Sequence, residues 1–317
     1  MTDRSRNARQ RHTPAATGVY ATPSPPTGYL VTVSRLQVAP LLEAYTKRQV
    51  RDASDSTSLE ATTSADLGLS MISVALTDGG IRYSPGELLT WDDARRINAA
   101  PNQCFTVADG AVEPIALFSP TSNTLRSLMP TSGAPTMLVS GFSMHRIKGT
   151  EPWADTVAKA QAAAPLTGRV LDTTTGLGYT AILAARTASE VVTVELDPTG
   201  LQIARRNPWS HELFDRPNVQ RIVGDAFEVV AEQREGSFDR IIHDPPYLTL
   251  AGDLYSEEMY RRLFRALRTG GRLFHYIGDP QSASGARTTA GVIRRLEAAG
   301  FHRVTRRPEA FGVTAVK

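Results

Sequence analysis

Four carboxylates close four apolar runs in the second half of the chain. Asp172 follows Arg169-Val-Leu, Glu195 follows Val191-Val-Thr-Val, Asp225 follows Arg221-Ile-Val-Gly, and Asp244 follows Phe238-Asp-Arg-Ile-Ile-His243. Such runs suit buried strands of an open αβ sheet, and acids at their C-terminal ends would line one crevice, where ligands of such sheets bind. Between the first two runs lies the turn Gly176-Leu-Gly178, and Glu195 comes 19 residues after Gly176. Glycines let a backbone turn tightly and approach a ligand, and an acid at that separation suits the two hydroxyls of a ribose. The fourth acid opens Asp244-Pro-Pro-Tyr247. Pro245 and Pro246 fix the backbone so that oxygens face the crevice, where they can accept hydrogen bonds from a planar amine. Tyr247 can stack on a flat ring, worth roughly 1–3 kcal/mol for a base.

Each feature also has a purely structural explanation. Acids often end strands as helix N-caps, and glycines sit in strand–helix turns for packing alone. Their order along the chain separates the two explanations. The elements that must position them alternate: helix 151–164, strand 169–172, helix 181–186, and strands ending at Glu195, Asp225 and His243. There follow a helix at 256–267 capped by Ser256 and ended by Gly270-Gly271, a strand 272–277, a helix 288–299, and a closing antiparallel pair, 301–305 and 311–316. That alternation predicts an α/β, Rossmann-like, mostly parallel sheet with an antiparallel closing edge.

Residues 169–278 resemble the class I S-adenosylmethionine-dependent methyltransferases. Gly176-Leu-Gly178 matches their first motif, Glu195 their ribose acid, Asp225 their adenine-contacting acid and Asp244-Pro-Pro-Tyr247 their fourth motif. The wording is similar to a family of archaeal-type methyltransferases of unsettled substrate, through Ser143-Met-His-Arg146, Leu171-Asp-Thr-Thr-Thr-Gly-Leu-Gly-Tyr-Thr-Ala-Ile182, Asn207-Pro-Trp-Ser210, His243-Asp-Pro-Pro246, Leu250-Ala-Gly-Asp-Leu-Tyr-Ser256 and Gly271-Arg-Leu-Phe-His-Tyr-Ile-Gly278. Thr174 stands where the class often has a further glycine. The resemblance implies S-adenosyl-L-methionine as cofactor, held by Asp172, Thr174, Gly176, Gly178, Glu195, Asp225 and Ala226. It implies Asp244, Pro245, Pro246 and Tyr247 as the acceptor side, with an exocyclic or carboxamide nitrogen as the acceptor atom. His145 is expected to cap the site as a catalytic residue, and Arg146 and Tyr255 to touch substrate. His243 and His275 are expected to be buried, hydrogen-bonded histidines.

The chain of 317 residues is 41% hydrophobic and 21% charged, as expected of globular proteins. Its four arginines within residues 1–12, against Asp3, supply the whole formal net charge of +3. Residues 1–28 are polar and aperiodic and are expected to be a disordered tail. Residues 29–150 alternate in short strands, with hairpin signals at Thr77-Asp-Gly-Gly80 and Ala108-Asp-Gly-Ala111, and predict a small β-rich module. Within it, Pro40 is expected to open a helix, with Leu30 to Val38 extended. Residues 151–317 form the cofactor-binding domain in this reading. One cysteine, Cys104, excludes an internal disulfide and suggests a cytoplasmic, reducing setting. No metal-ligand spacing and no run near the roughly 18 apolar residues of a membrane span occur, so neither metal nor membrane is expected. The expected function is methylation of a planar amine, with RNA as the substrate class. The alternatives are a small molecule or protein as methyl acceptor, or aminopropyl transfer as in spermidine-synthase-like enzymes. A NAD-dependent oxidoreductase would leave Asp225 and Asp244-Pro-Pro-Tyr247 unexplained, and a binding module without catalysis would not need that tetrapeptide. The oligomeric state is not legible in the sequence.

Overall fold

The computed structural model describes residues 18–28, 30–51, 59–83, 86–246 and 252–317. The second half is organised by a seven-stranded sheet: β1 (Arg169–Asp172), β2 (Glu190–Glu195), β3 (Val219–Val223), β4 (Phe238–His243), β5 (Leu267–Tyr276), β6 (His302–Arg307) and β7 (Gly312–Val316). Their spatial order is β3-β2-β1-β4-β5-β7-β6. The first five run parallel, and β7 pairs antiparallel with both β5 and β6. The order reverses between β1 and β4, and a crevice opens at such a reversal, beyond the C-terminal ends of the strands. Val170, Leu171, Val191, Val192, Ile241 and Ile242 are buried. Helices cover both faces of the sheet, so its central strands can be apolar throughout.

Local chemistry sets the helix starts. Glu151 accepts from Trp153 N–H at 2.8 Å ahead of Pro152–Ala163, Asp225 accepts from Phe227 N–H at 2.8 Å ahead of Ala226–Glu232, and Ser256 accepts from Met259 N–H at 3.0 Å ahead of Glu257–Ala266. Each satisfies a backbone donor that the helix leaves unpaired. The last of these helices stops at Ala266, before Gly270-Gly271, and those glycines belong to β5 instead. Gly270 takes a φ of 72° and donates its N–H to Lys317 carbonyl, so the long strand bends where a side chain would be strained.

Before the large sheet, the described residues form three small antiparallel sheets. Val31–Ser34 pairs with Cys104–Ala108, which pairs with Ala111–Pro114. A second sheet runs Leu59–Thr63, Ile72–Thr77, Gly80–Arg82, Leu88–Thr90, and a third runs Phe142–Ser143, Thr136–Val139, Thr124–Met129, Ala116–Ser119. The expected entry of a helix at Pro40 is corrected: the helix spans Arg35–Arg51 and carries Pro40 inside it. Ser34 Oγ, 3.2 Å from Leu36 N–H, caps it ahead of the proline. Residues 18–28 also depart from the expected disordered tail. Their carbonyls are used as acceptors, Val19 and Ala21 by Arg186 Nη1, Tyr20 by Trp153 Nε1 and Ser24 by His211 Nε2. The remainder of that expected tail, residues 1–17, lies outside the described residues.

The third small sheet docks on the large sheet through Asp197. Arg126 Nη2 stands 2.9 Å from Asp197 Oδ2, and the Ser119 and Ser122 hydroxyls each donate to that oxygen at 2.6 Å. Burial alone would raise the Asp197 carboxyl. The hydrogen bonds from Ser119, Ser122 and Thr199 N–H, with the Arg126 charge, outweigh it and bring the group down to about 2. An unfolded aspartate titrates near 3.9, so this contact stabilises the fold above about pH 4 and fades as pH falls through about 2, a contribution of roughly 2 kcal/mol. The difference in unfolding free energy between the wild type and Asp197→Asn, followed by urea titration, should therefore shrink on acidification below about pH 4. A difference independent of pH would contradict this account.

Candidate active site

The turn after β1 carries the most constrained backbone of the crevice. Gly176 and Gly178 take φ of 55° and 79°. A Cβ on Gly178 would come within 2.5 Å of Leu213 Cδ2, so this glycine serves packing. In front of Gly176 nothing lies within 4 Å, and there the backbone faces open space. The two expected glycines thus divide the roles. Gly176 N–H donates to Glu195 Oε2 at 2.9 Å, and Asp197 N–H donates to Glu195 Oε1 at 3.1 Å. Glu195 is only 8% exposed, and burial pushes its carboxyl up against those two hydrogen bonds. A carboxylate has about four acceptor positions, so one N–H on each oxygen leaves room for a diol.

Leu196 follows Glu195 and is 61% exposed. Asp225 is exposed and caps the helix that begins at Ala226, while Ala226 itself is buried. The structural role expected for an acid at a strand end is therefore present in Asp225, alongside its place at the crevice. Leu196 was missed from the sequence, although an apolar residue immediately after the ribose-type acid was there to be noticed.

Asp172 lies deeper than the sequence suggests. It is fully buried, with Thr193 Oγ1 donating to Oδ2 at 2.7 Å and Thr180 Oγ1 to Oδ1 at 3.3 Å. Burial raises its carboxyl to about 7, the two threonine hydroxyls opposing the shift and the Asp244 charge adding to it.

The acceptor segment is stitched to the glycine turn. Thr174 Oγ1 donates to Asp244 carbonyl at 2.6 Å, which gives the threonine a function no glycine could supply. Asp244 is half-buried, Pro245 buried and Pro246 exposed; Tyr247 lies outside the described residues. Lys159 Nζ sits 2.7 Å from Asp244 Oδ2 and 3.0 Å from Asp155 Oδ2, and Arg146 Nη1 is 2.8 Å from Asp155 Oδ1. Sequence reasoning missed Lys159 and Asp155. The readable signal was a single lysine four residues after an aspartate in an otherwise alanine-rich helix, the spacing of a pair on one face.

The remaining expected residues fall into supporting places. Arg146, expected to touch substrate, pairs with Asp155 and lies 3.4 Å over the Phe311 ring centre. Tyr255, expected to touch substrate, is buried and donates its hydroxyl to Pro246 carbonyl at 3.1 Å, so it braces the proline pair from below. His145 Nδ1 lies 3.0 Å from Thr136 Oγ1, and its ring tilts against Tyr179 at 5.3 Å. Burial, with the nearby Lys159 charge, lowers His145 to about 3, so it is neutral at physiological pH and a weak proton acceptor. His243 Nε2–H donates to Leu254 carbonyl at 2.8 Å, which leaves Nδ1 to accept from Thr173 Oγ1, also at 2.8 Å. His275 Nδ1–H donates to His243 carbonyl at 3.2 Å, and its Nε2 lies 3.0 Å from the Tyr260 hydroxyl. Both are the buried, bonded histidines expected. No group of His, Cys, Asp and Glu suited to a metal occurs among the described residues, and no helix among them is long and apolar enough to cross a membrane.

Residues 139–288 match the methyltransferase small domain family. The chain is 42% identical over 238 residues to an uncharacterized protein of Methanocaldococcus jannaschii, covering 74% of this chain and 81% of that one. It is 31% identical over 137 residues to a polyamine aminopropyltransferase of Aeropyrum pernix, covering 42% of this chain and 41% of that protein. Spermidine synthase from Thermotoga maritima matches over 65% of this chain and 74% of its own, with a TM-score of 0.50 at 18% identity, a likeness of fold alone. The chain belongs to the class I S-adenosylmethionine-dependent methyltransferase family. The M. jannaschii protein is one of its relatives.

A carboxyl raised by burial stabilises the fold below its unfolded pKa and loses that contribution as pH rises through its folded one. Replacing Asp172 by Asn should therefore stabilise the protein relative to wild type progressively between about pH 4 and about pH 7, with little further change above. Denaturant unfolding of both proteins across that range checks it, and parallel curves would refute the assignment.

Proposed function

We propose that this protein transfers a methyl group from S-adenosylmethionine to the nitrogen of a planar amine, with RNA as the substrate class. One observation carries the reading. The Thr174–Asp244 hydrogen bond of 2.6 Å fastens the glycine turn to the acceptor tetrapeptide, so the donor and acceptor segments open on the same crevice.

The residues fit an adenosyl ligand. Open space lies over Gly176, the Glu195 oxygens retain acceptor positions, and the exposed Leu196 offers an apolar face beside them. Asp225, two residues beyond β3, can accept from an adenine amino group in this reading, with Ala226 beside it. When bound, S-adenosylmethionine supplies an electrophilic methyl carbon on a sulfonium. The protein's part is positioning, which can supply most of the acceleration for a direct displacement. Glu195 and Gly176 fix one side of the crevice. Asp244 and the Pro245-Pro246 backbone, braced by Tyr255, hold the amine by its N–H groups, and Tyr247 is assigned the stacking face from sequence alone. His145 closes the site as a neutral group and does not act as the base.

RNA is favoured by chemistry at the far side of the same strand ends. A cavity of about 230 Å³ lined by Gly278, Thr289, Arg306 and Phe311 lies where β5 and β7 meet, and Arg303 and Arg306 are exposed along the edge strand β6. Arginines there suit phosphate contacts, which position a nucleic acid without reading its sequence. The second reading, aminopropyl transfer, draws support from the similarity to polyamine aminopropyltransferases.

Calorimetry should give micromolar binding of S-adenosylhomocysteine by the wild type. Glu195→Ala should weaken it by roughly ten- to a hundredfold, the worth of a hydrogen bond to a charged group. Asp244→Ala should leave that affinity unchanged while abolishing transfer of labelled methyl to RNA. No binding by folded wild type would overturn the proposal, and transfer only from decarboxylated S-adenosylmethionine to a polyamine would establish the second reading.

A further inference from the structure

Lys159 is a buried cation that the donor and acceptor assignments do not use. Its side chain is 4% exposed, on a helix whose neighbouring residues are largely alanine. A buried ammonium is costly unless it is paired and hydrogen-bonded. Here the pairing extends through four charges: Arg146 to Asp155, Asp155 to Lys159, and Lys159 to Asp244. Two cations and two carboxylates cancel. The Tyr276 ring, on β5, lies 4.3 Å from Lys159 Nζ and completes the enclosure. Burial alone would lower the Lys159 ammonium, but Asp244 and Asp155 reverse that and hold it well above the usual lysine range. Lys159 therefore stays charged beneath the acceptor segment.

We propose that Lys159 is a positioning residue of the acceptor site, its ammonium fixing the Asp244 carboxylate and cancelling its charge so that the site takes an uncharged nitrogen and turns away a cationic amine. The inference rests on the assignment of Asp244 to the acceptor side. The physical reason is direct. An alkyl amine is protonated near neutral pH and needs surplus negative charge to bind, whereas a planar amine conjugated to a ring is uncharged and needs only acceptors for its N–H groups. Asp244 already carries a full counter-charge at 2.7 Å, so it offers the second kind of partner. This separates the two readings of the fold on this chain's own residues.

The charged and titratable groups around Asp244 come from three elements and one preceding segment. Lys159 and Asp155 lie on the helix Pro152–Ala163, Asp172 on β1 and Tyr276 on β5, while Arg146 and the neutral His145 approach from the end of the third small sheet. Burial pushes the Asp244 carboxyl up, and Lys159 is the group that opposes this while Asp155 adds to it.

The test uses the full chain as wild type, Lys159→Met and Lys159→Arg, with Lys159→Gln as the substitute should the methionine variant not fold. Carbon-13 spectra of aspartate-labelled protein, with Asp244 assigned through Asp244→Asn, read the carboxyl directly. Loss of the lysine charge should make Asp244 a weaker acid by roughly ten- to a thousandfold, and Lys159→Arg should restore the wild-type titration. Putrescine, a dication, is the binding probe in the S-adenosylhomocysteine complex. Wild type and Lys159→Arg should give no saturable heat at millimolar putrescine, while Lys159→Met or Lys159→Gln should acquire binding. An Asp244 titration unmoved by loss of the charge, or saturable putrescine binding by wild type, would overturn the proposal. The same samples report S-adenosylhomocysteine affinity. Its absence in wild type would remove the methyltransferase reading, while the carboxyl titration would still decide what Lys159 does.

Discussion

A lysine ammonium buried between two carboxylates is the constraint to which the acceptor side of the crevice answers. Removing any member of the Arg146–Asp155–Lys159–Asp244 chain unbalances the set by one charge, and Asp155 and Lys159, its inner pair, are the two most deeply buried. The helix Pro152–Ala163, the end of β4 and the segment that precedes the helix are thereby held in one geometry. Thr174 extends that geometry to the glycine turn, and Tyr255 extends it to the carbonyl of Pro246. Donor and acceptor segments lie on separate strands, yet a few bonds of hydrogen-bonding length make them one rigid wall.

Behind that wall is a layer of neutral polar groups. His243 and His275 each donate to a main-chain carbonyl, and burial keeps both uncharged at neutral pH. A histidine that bonds through both ring nitrogens can anchor a backbone without importing charge. His243 joins Thr173 of the first turn to Leu254, beyond the acceptor tetrapeptide. The imidazoles therefore work as crosslinks that bring no charge toward Asp244.

The sheet was legible because its strands are short apolar runs bounded by turns, and burial on both faces leaves a pattern that local sequence carries. The four acids were legible for the same reason, since each ends such a run. What local pattern did not carry was the partner each side chain takes. Asp155 faces Arg146 only once the helix is folded, and the Tyr255 hydroxyl meets the carbonyl of Pro246, and neither bond follows from periodicity. Gly178 read as a ligand contact, but the side chain it accommodates, Leu213, comes from another helix. Helix starts were recovered from caps where the cap was Ser256. They were missed at Ser34, where Pro40 drew attention to the wrong residue.

The segment Gly18–Ser24 is held through its carbonyl oxygens, which accept from Arg186, Trp153 and His211. Main-chain oxygens are the same whatever side chain a residue bears. At Val19 and Ser24, whose side chains are exposed, recognition of this strap is blind to composition, whereas Tyr20 packs on the core and Pro23 is buried, so those two positions depend on their side chains as well. At its exposed positions the strap behaves as a backbone ligand built into its own receptor, and there the selective pressure it generates falls on Arg186, Trp153 and His211.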